Sequence, residues 1–249
     1  MNPSTLFRFA ANNSPQGTGP HPHGKGGRPE NGKERAQGRR LARPLFTAIG
    51  VLAPLLFFGY LAEDVATRES IRFDTPLLLG LHAHATPLFD RTMLAFTNWG
   101  GVRILLLSFL LSAFLLWRKQ RVQAAFLLWA MLGAALLNVA IKASFQRVRP
   151  DLWLSLAPEH DYGFPSGHSM LSCAFVLAAL VLTWKSRSTL IVKWGTTGAG
   201  LLFLLGVGLS RLYLGVHYPS DVLAGFALVL SWITLLQGIF EERLEPTQR

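Results

Sequence analysis

Six apolar runs decide what this chain can become. Residues 44–62, 122–141 and 222–240 carry no charged side chain, and a helix needs about 20 apolar residues to cross a bilayer. Three shorter uncharged runs, 104–117, 169–184 and 194–209, reach that length if flanking residues are added, with Arg103 and Lys193 snorkelling to the interface. Half of the 249 residues are hydrophobic and 15% are charged, too apolar a balance for an ordinary soluble domain. Pro54 falls inside the first run, where neighbouring helices tolerate it. No strand-like alternation appears. The expected fold is therefore all-α: an integral membrane bundle of six transmembrane helices.

Residues 1–43 have a different character. They are rich in Gly, Pro, Asn, Lys and Arg and cannot bury enough apolar surface to offset the entropy of ordering. They are read as a disordered basic tail, with eight Lys/Arg against two Glu, and without the pattern of a signal peptide. A solvated tail that fixes topology is preferred over one that grips anionic headgroups. Residues 44–240 form the membrane domain and 241–249 a short second tail.

Loop charge sets the direction of insertion. With six spans both termini share a side. That side carries 16 of the 24 Lys/Arg, in the tail, in 118–121, in 185–193 and in the last nine residues. Cytoplasmic loops hold the excess of basic residues, so both termini are expected in the cytoplasm. The net charge of +10 is explained this way, and no nucleic acid partner is inferred. The lone Cys173 excludes an internal disulfide and is assigned to packing.

Three polar clusters then fall on the opposite side, each at the edge of an apolar run. The first is Lys142 with Arg149-Pro150, the second Pro165-Ser166-Gly167-His168, the third Ser210-Arg211 with His217 and Asp221. Cleaving a phosphate ester needs charge on the equatorial oxygens, an in-line nucleophile and an acid for the leaving group. Lys142, Arg149 and Arg211 supply three positive charges, and arginine forks match phosphate oxygens. Gly167 lets backbone approach an anion at a helix N-terminus, and Ser166 adds a hydroxyl. His217 is assigned as nucleophile forming a phosphohistidine, with Asp221, four residues on, orienting it. His168 is assigned as the general acid. No metal and no cofactor is called for.

Other residues carry weaker readings. Arg147 suits a second phosphate or headgroup, but an interfacial arginine is preferred. His82, His84 and His160 are read as solvated. Trp153, Phe164, Tyr213 and Tyr218 suit an aromatic belt or an entrance wall for lipid, with the belt favoured. Asn138 is expected to bond a neighbouring helix. The segment 63–91 is read as a loop able to hold an interfacial helix.

In the motifs KASFQRVRP, PSGH and SRLYLGVHYPSD the chain resembles the type 2 phosphatidic acid phosphatase family, related to the vanadium-dependent haloperoxidases. The likeness covers roughly residues 44–240. It implies a core helix bundle, a phosphohistidine on His217, and phosphate contacts from Lys142, Arg149, Ser166, Gly167, His168 and Arg211. It also implies inhibition by vanadate. The expected substrate is a membrane lipid of the phosphatidic acid, phosphatidylglycerophosphate or undecaprenyl diphosphate class, cleaved at the outer face of a bacterial cytoplasmic (inner) membrane. A lipid phosphotransferase using the same phosphohistidine is the alternative. A vanadate haloperoxidase and a non-enzymatic lipid binder rank below it. The sequence leaves the oligomeric state open.

Overall fold

The computed structural model describes residues 30–67 and 71–244. The chain divides into two units, Met1–Leu41 and Ala42–Arg249. In the first, residues 30–41 have helical backbone. The tail expected over residues 1–43 otherwise lies outside the described residues. The second unit holds everything that follows.

Helix α1 (Glu30–Ala66) contributes its portion from Pro44 onward as the first span. It runs through Pro54 without interruption. A short helix, α2 (Asp74–His82), lies in the segment read as a loop. Then α3 (Pro87–Asn98), a π-helical turn (Trp99–Arg103) and α4 (Ile104–Trp117) together make the second span. Helices α5 (Arg121–Phe145), α6 (Gly167–Lys185), α7 (Leu190–Tyr213) and α8 (Pro219–Leu244) complete the six. All described regular structure is helical.

The second span departs from the sequence expectation. It begins at Pro87, not near Ile104. Asp90, Arg91 and the pair Gly100-Gly101 break the hydropathy of its first half. Gly101 has non-helical φ −98° and ψ −124°, so the span kinks there. Arg103 consequently sits at the kink, its guanidinium 5.8 Å from the Trp99 ring centre, and not at the end of the span.

Helix α6 is the hub, packing against α5, α7 and α8. Phe126, Leu127, Met170, Ala174 and Val229 are buried in the core they share, and Cys173 packs in the same cluster. The outside of the bundle is as apolar as the inside. Phe46, Leu56, Leu110, Trp117 and Ile191 are all more than two-thirds exposed, an arrangement water would penalise and hydrocarbon favours. Helices α1 and α8 are antiparallel, since Ser231 Oγ donates to Val51 O at 2.9 Å while Gly238 lies beside Thr47. This up-and-down order gathers the end of α5, the start of α6, the end of α7 and the start of α8 at one end of the bundle.

Candidate active site

Local sequence chemistry fixes each element at that end. Helix α5 stops at Gln146, whose φ of 47° is left-handed, and Arg149 follows in an irregular strap. Ser166 caps α6, its Oγ accepting from Ser169 N–H at 3.5 Å. His168 is thus in the first turn, as expected. Asn138 of α5 donates to Pro165 O at 3.1 Å and contacts Met170, holding this cap in place. Helix α7 ends in a tight turn through Gly215, whose φ is +68° and which packs against Trp153. Pro219 then opens α8, where its missing N–H costs nothing. His217 therefore sits in the corner between α7 and α8, fully buried, as is Asp221.

The expected cations and imidazoles converge. Arg149 Nη1 lies 2.9 Å from His217 Nε2 and donates to Val216 O at 2.7 Å. Asp221 Oδ2 lies 3.4 Å from His217 Nδ1 and accepts from Tyr218 N–H at 2.8 Å. His217 Nδ1 has no normal hydrogen bond among the described residues; catalytic contacts often tighten only when substrate is bound. Arg211 is 1% exposed, with Nη1 donating to Thr97 of α3.

What they converge on was not foreseen. The carboxylate of Glu159, from the loop between α5 and α6, stands at the centre of the group. Its Oε1 pairs with Arg211 and lies 3.4 Å from His168 Nδ1. Its Oε2 lies 2.7 Å from Arg149 Nη2 and 3.7 Å from His217 Nε2. Asp161, two residues on, pairs with Lys142 and with Arg149. Burial pushes the Glu159 carboxyl upward, but His217, Arg211 and His168 more than reverse this and hold it far below the usual carboxylate range. Asp161 is likewise held low, Lys142 and Arg149 outweighing its burial. The site is thus an anion cradle, filled by the chain's own carboxylates.

Ser166 and Gly167 sit behind this group. Ser166 is buried with its Oγ engaged by Ser169 N and Oγ, while its N–H donates to Asp221 O at 3.1 Å. Gly167 packs against Asn138, where a Cβ would meet Oδ1 at 3.0 Å.

Arg147 is not a free interfacial arginine. It bonds Asp221, Ser220 and Asp74 and stacks on Tyr218 with its guanidinium 4.4 Å from the ring centre. Burial would lower its pKa, yet Asp221 and Asp74 raise it above the ordinary value. Phe164 is buried between Phe58 and Phe145, so it is core, neither belt nor entrance. Trp153 stacks on His82 at 4.0 Å, and Tyr213 donates to Asp90. His84 and His160 are exposed, as expected. Among the described residues no group of three or more His, Cys, Asp and Glu is arranged to hold a metal ion.

Sequence reasoning missed Glu159, Asp161, Thr97 and Asp74. The available signal was small: an acidic pair in the loop that leads directly into Pro165-Ser166-Gly167-His168.

A six-helix membrane bundle that collects three cations and two imidazoles at one end has the architecture of a membrane phosphatase. The family model of the PAP2 superfamily matches residues 123–244, which include every one of those groups. Phosphatidylglycerophosphatase B of Bacillus subtilis is 32% identical over 193 residues, covering 76% of this chain and 94% of that protein. Lipid A 1-phosphatase of Rhizobium johnstonii is 28% identical over 211 residues, covering 76% and 75%. The crystal structure of the transmembrane PAP2 type phosphatidylglycerolphosphate phosphatase from Bacillus subtilis superposes with TM-score 0.71 at 28% identity, covering 81% of this chain and 100% of that one. The chain belongs to the PAP2 superfamily.

Proposed function

We propose that this chain hydrolyses the phosphate ester of a membrane phospholipid through a phosphohistidine at His217. The observation that carries this reading is the convergence on Glu159. Two guanidiniums and two imidazoles already surround one anionic group, the imidazoles approaching different oxygens of it, while Lys142 pairs with the neighbouring Asp161. A phosphoryl group in that position meets a nucleophile on one side and an acid on the other. His217 Nε2 attacks phosphorus while the ester P–O bond breaks. His168 gives its proton to the departing lipid oxygen. The same imidazole then takes a proton from water, which attacks the phosphohistidine and frees inorganic phosphate. Asp221 keeps Nε2 aimed and steadies the imidazole as charge develops on it. Lys142, Arg149 and Arg211 stabilise the equatorial oxygens, a task that elsewhere falls to a metal ion. Arg211 Nε, buried with no partner among the described residues, is a further donor.

The substrate class we favour is a glycerophospholipid monoester of the phosphatidylglycerophosphate kind, given the named activity of the 94%-covered relative. The excess of Lys and Arg in the loops at the opposite end supports a site on the outer face of a bacterial cytoplasmic membrane. The test is phosphate release by purified protein from a panel of phosphatidylglycerophosphate, phosphatidic acid and undecaprenyl diphosphate, with acceptor lipids present to detect transfer. Release from the first, abolished in His217→Ala, supports the reading. No release from any of the three counts against it.

A further inference from the structure

Behind the nucleophile lies a second polar network that joins three separate parts of the chain. Arg147, in the strap after α5, donates through Nη1 to Asp221 Oδ1 at 2.5 Å and to Ser220 Oγ at 2.7 Å. Through Nη2 it donates to Asp74 Oδ2 at 2.8 Å. Asp74, the first residue of α2, accepts from Ser220 N–H at 2.9 Å and from Ser220 Oγ at 2.6 Å. Both carboxylates are almost wholly buried. Asp221 is therefore held on both oxygens, Oδ1 by Arg147 and Oδ2 by Tyr218 N–H, with Oδ2 left facing His217 Nδ1.

We propose that Arg147 and Asp74 are positioning residues for the nucleophile: Asp74 fixes the Arg147 guanidinium, and Arg147 fixes the plane of the Asp221 carboxylate against His217. The inference rests on the reading of His217 as nucleophile. A buried ion pair adds little net stability over apolar packing, so anchoring α2 alone is a poor reason for burying two carboxylates and a guanidinium. Their placement against the one carboxylate that faces His217 is a better one. A carboxylate free to rotate about its last bond would present either oxygen, and the imidazole would lose its fixed tautomer and direction. Neither Arg147 nor Asp74 touches the cradle occupied by Glu159, so neither contributes to holding phosphate.

That separation gives the test. The full chain is assayed with a lipid phosphate for kcat and KM, and with vanadate for inhibition, as wild type, Arg147→Gln, Asp74→Asn, Asp221→Asn and the two doubles with Asp221→Asn. A misdirected catalytic group costs about 10- to 100-fold in rate. Arg147→Gln is expected to lose kcat on that scale and Asp74→Asn several-fold less, with KM and the vanadate inhibition constant within about threefold of wild type. In the Asp221→Asn background both losses are expected to vanish, since the residues act through that carboxylate. Unchanged kcat, losses that persist in the double variants, or a vanadate affinity that falls as far as kcat would overturn the proposal. If Arg147→Gln does not fold, Asp74→Asn, which keeps size and shape, decides by the same criteria. A wild type inactive on every lipid phosphate removes the functional reading itself; an active wild type with additive losses removes this inference alone.

Discussion

Glu159 and Arg211 form an ion pair at the centre of the cradle, the guanidinium buried in α7 and the carboxylate delivered by a loop. The same carboxylate also meets Arg149, His168 and His217. On the proposed reading, an entering phosphoryl group displaces it, and Glu159 competes with substrate and with product. Glu159→Gln removes that charge. A charged hydrogen-bonded contact is worth about 1.5–3 kcal/mol, so vanadate and inorganic phosphate should inhibit the variant at about 10- to 100-fold lower concentration. Inhibition constants equal to or weaker than those of wild type would assign Glu159 a supporting part instead.

The same pairs set a pH dependence. Glu159 and Asp161 are both held below the ordinary carboxylate range. A depressed carboxyl contributes stability that is complete above its unfolded pKa, about 4, and is lost as pH falls through the folded value. Wild type should therefore melt above Glu159→Gln at neutral pH, and the margin should close only in acid stronger than about pH 4. A margin that collapses between pH 7 and pH 6 would contradict the assignment.

Gly101 makes the kink that admits His168. A Cβ built on it would meet His168 Nε2 at 2.6 Å, and the ring has the cradle on its other side. Gly101→Ala should push the imidazole out of position and cost about 100-fold in turnover, the scale of a 1 Å misplacement. Its rate should approach that of His168→Ala. Activity within a few-fold of wild type would mean that the ring has room to yield.

On the proposed reading, Lys142, Arg149 and Arg211 offset the negative charge of the transferred group. Each change to Ala should cost about 2–4 kcal/mol of transition-state stabilisation in kcat/KM. Arg149→Lys should recover little, because Arg149 serves Val216 O, His217 and the central anion with one planar fork. Because these cations supply the charge, turnover should persist in EDTA. Loss that a divalent ion restores would reveal a metal site.

Much of this was readable in the residues. The spans were legible because an uncharged run of bilayer length has few other uses. The exception, the Pro87–Asn98 half of the second span, was masked by Asp90, Arg91 and a glycine pair, of which Gly101 bends the span beside His168. The cations and imidazoles were legible because each stands at a helix end, where up-and-down packing leaves little choice of location. Glu159, Asp161 and Asp74 were not. A loop carboxylate has no periodicity, and its reach depends on the path of residues 150–166. Arg147 was misread for a related reason: its partners come from two helices distant in sequence, α2 and α8, and nothing in its neighbours announces them. Phe164 reads as interfacial because it is one of several aromatic residues near the span ends, but Phe58 and Phe145 enclose it.

The most direct measurement is rapid quenching of the enzyme with a lipid carrying a labelled phosphate, followed by recovery of protein-bound label. The account predicts an acid-labile, alkali-stable phosphoryl group on the peptide containing His217, lost in His217→Gln and accumulating when His168 is replaced by Ala with an activated leaving group. Label on another residue, or turnover that survives His217→Gln, would contradict it.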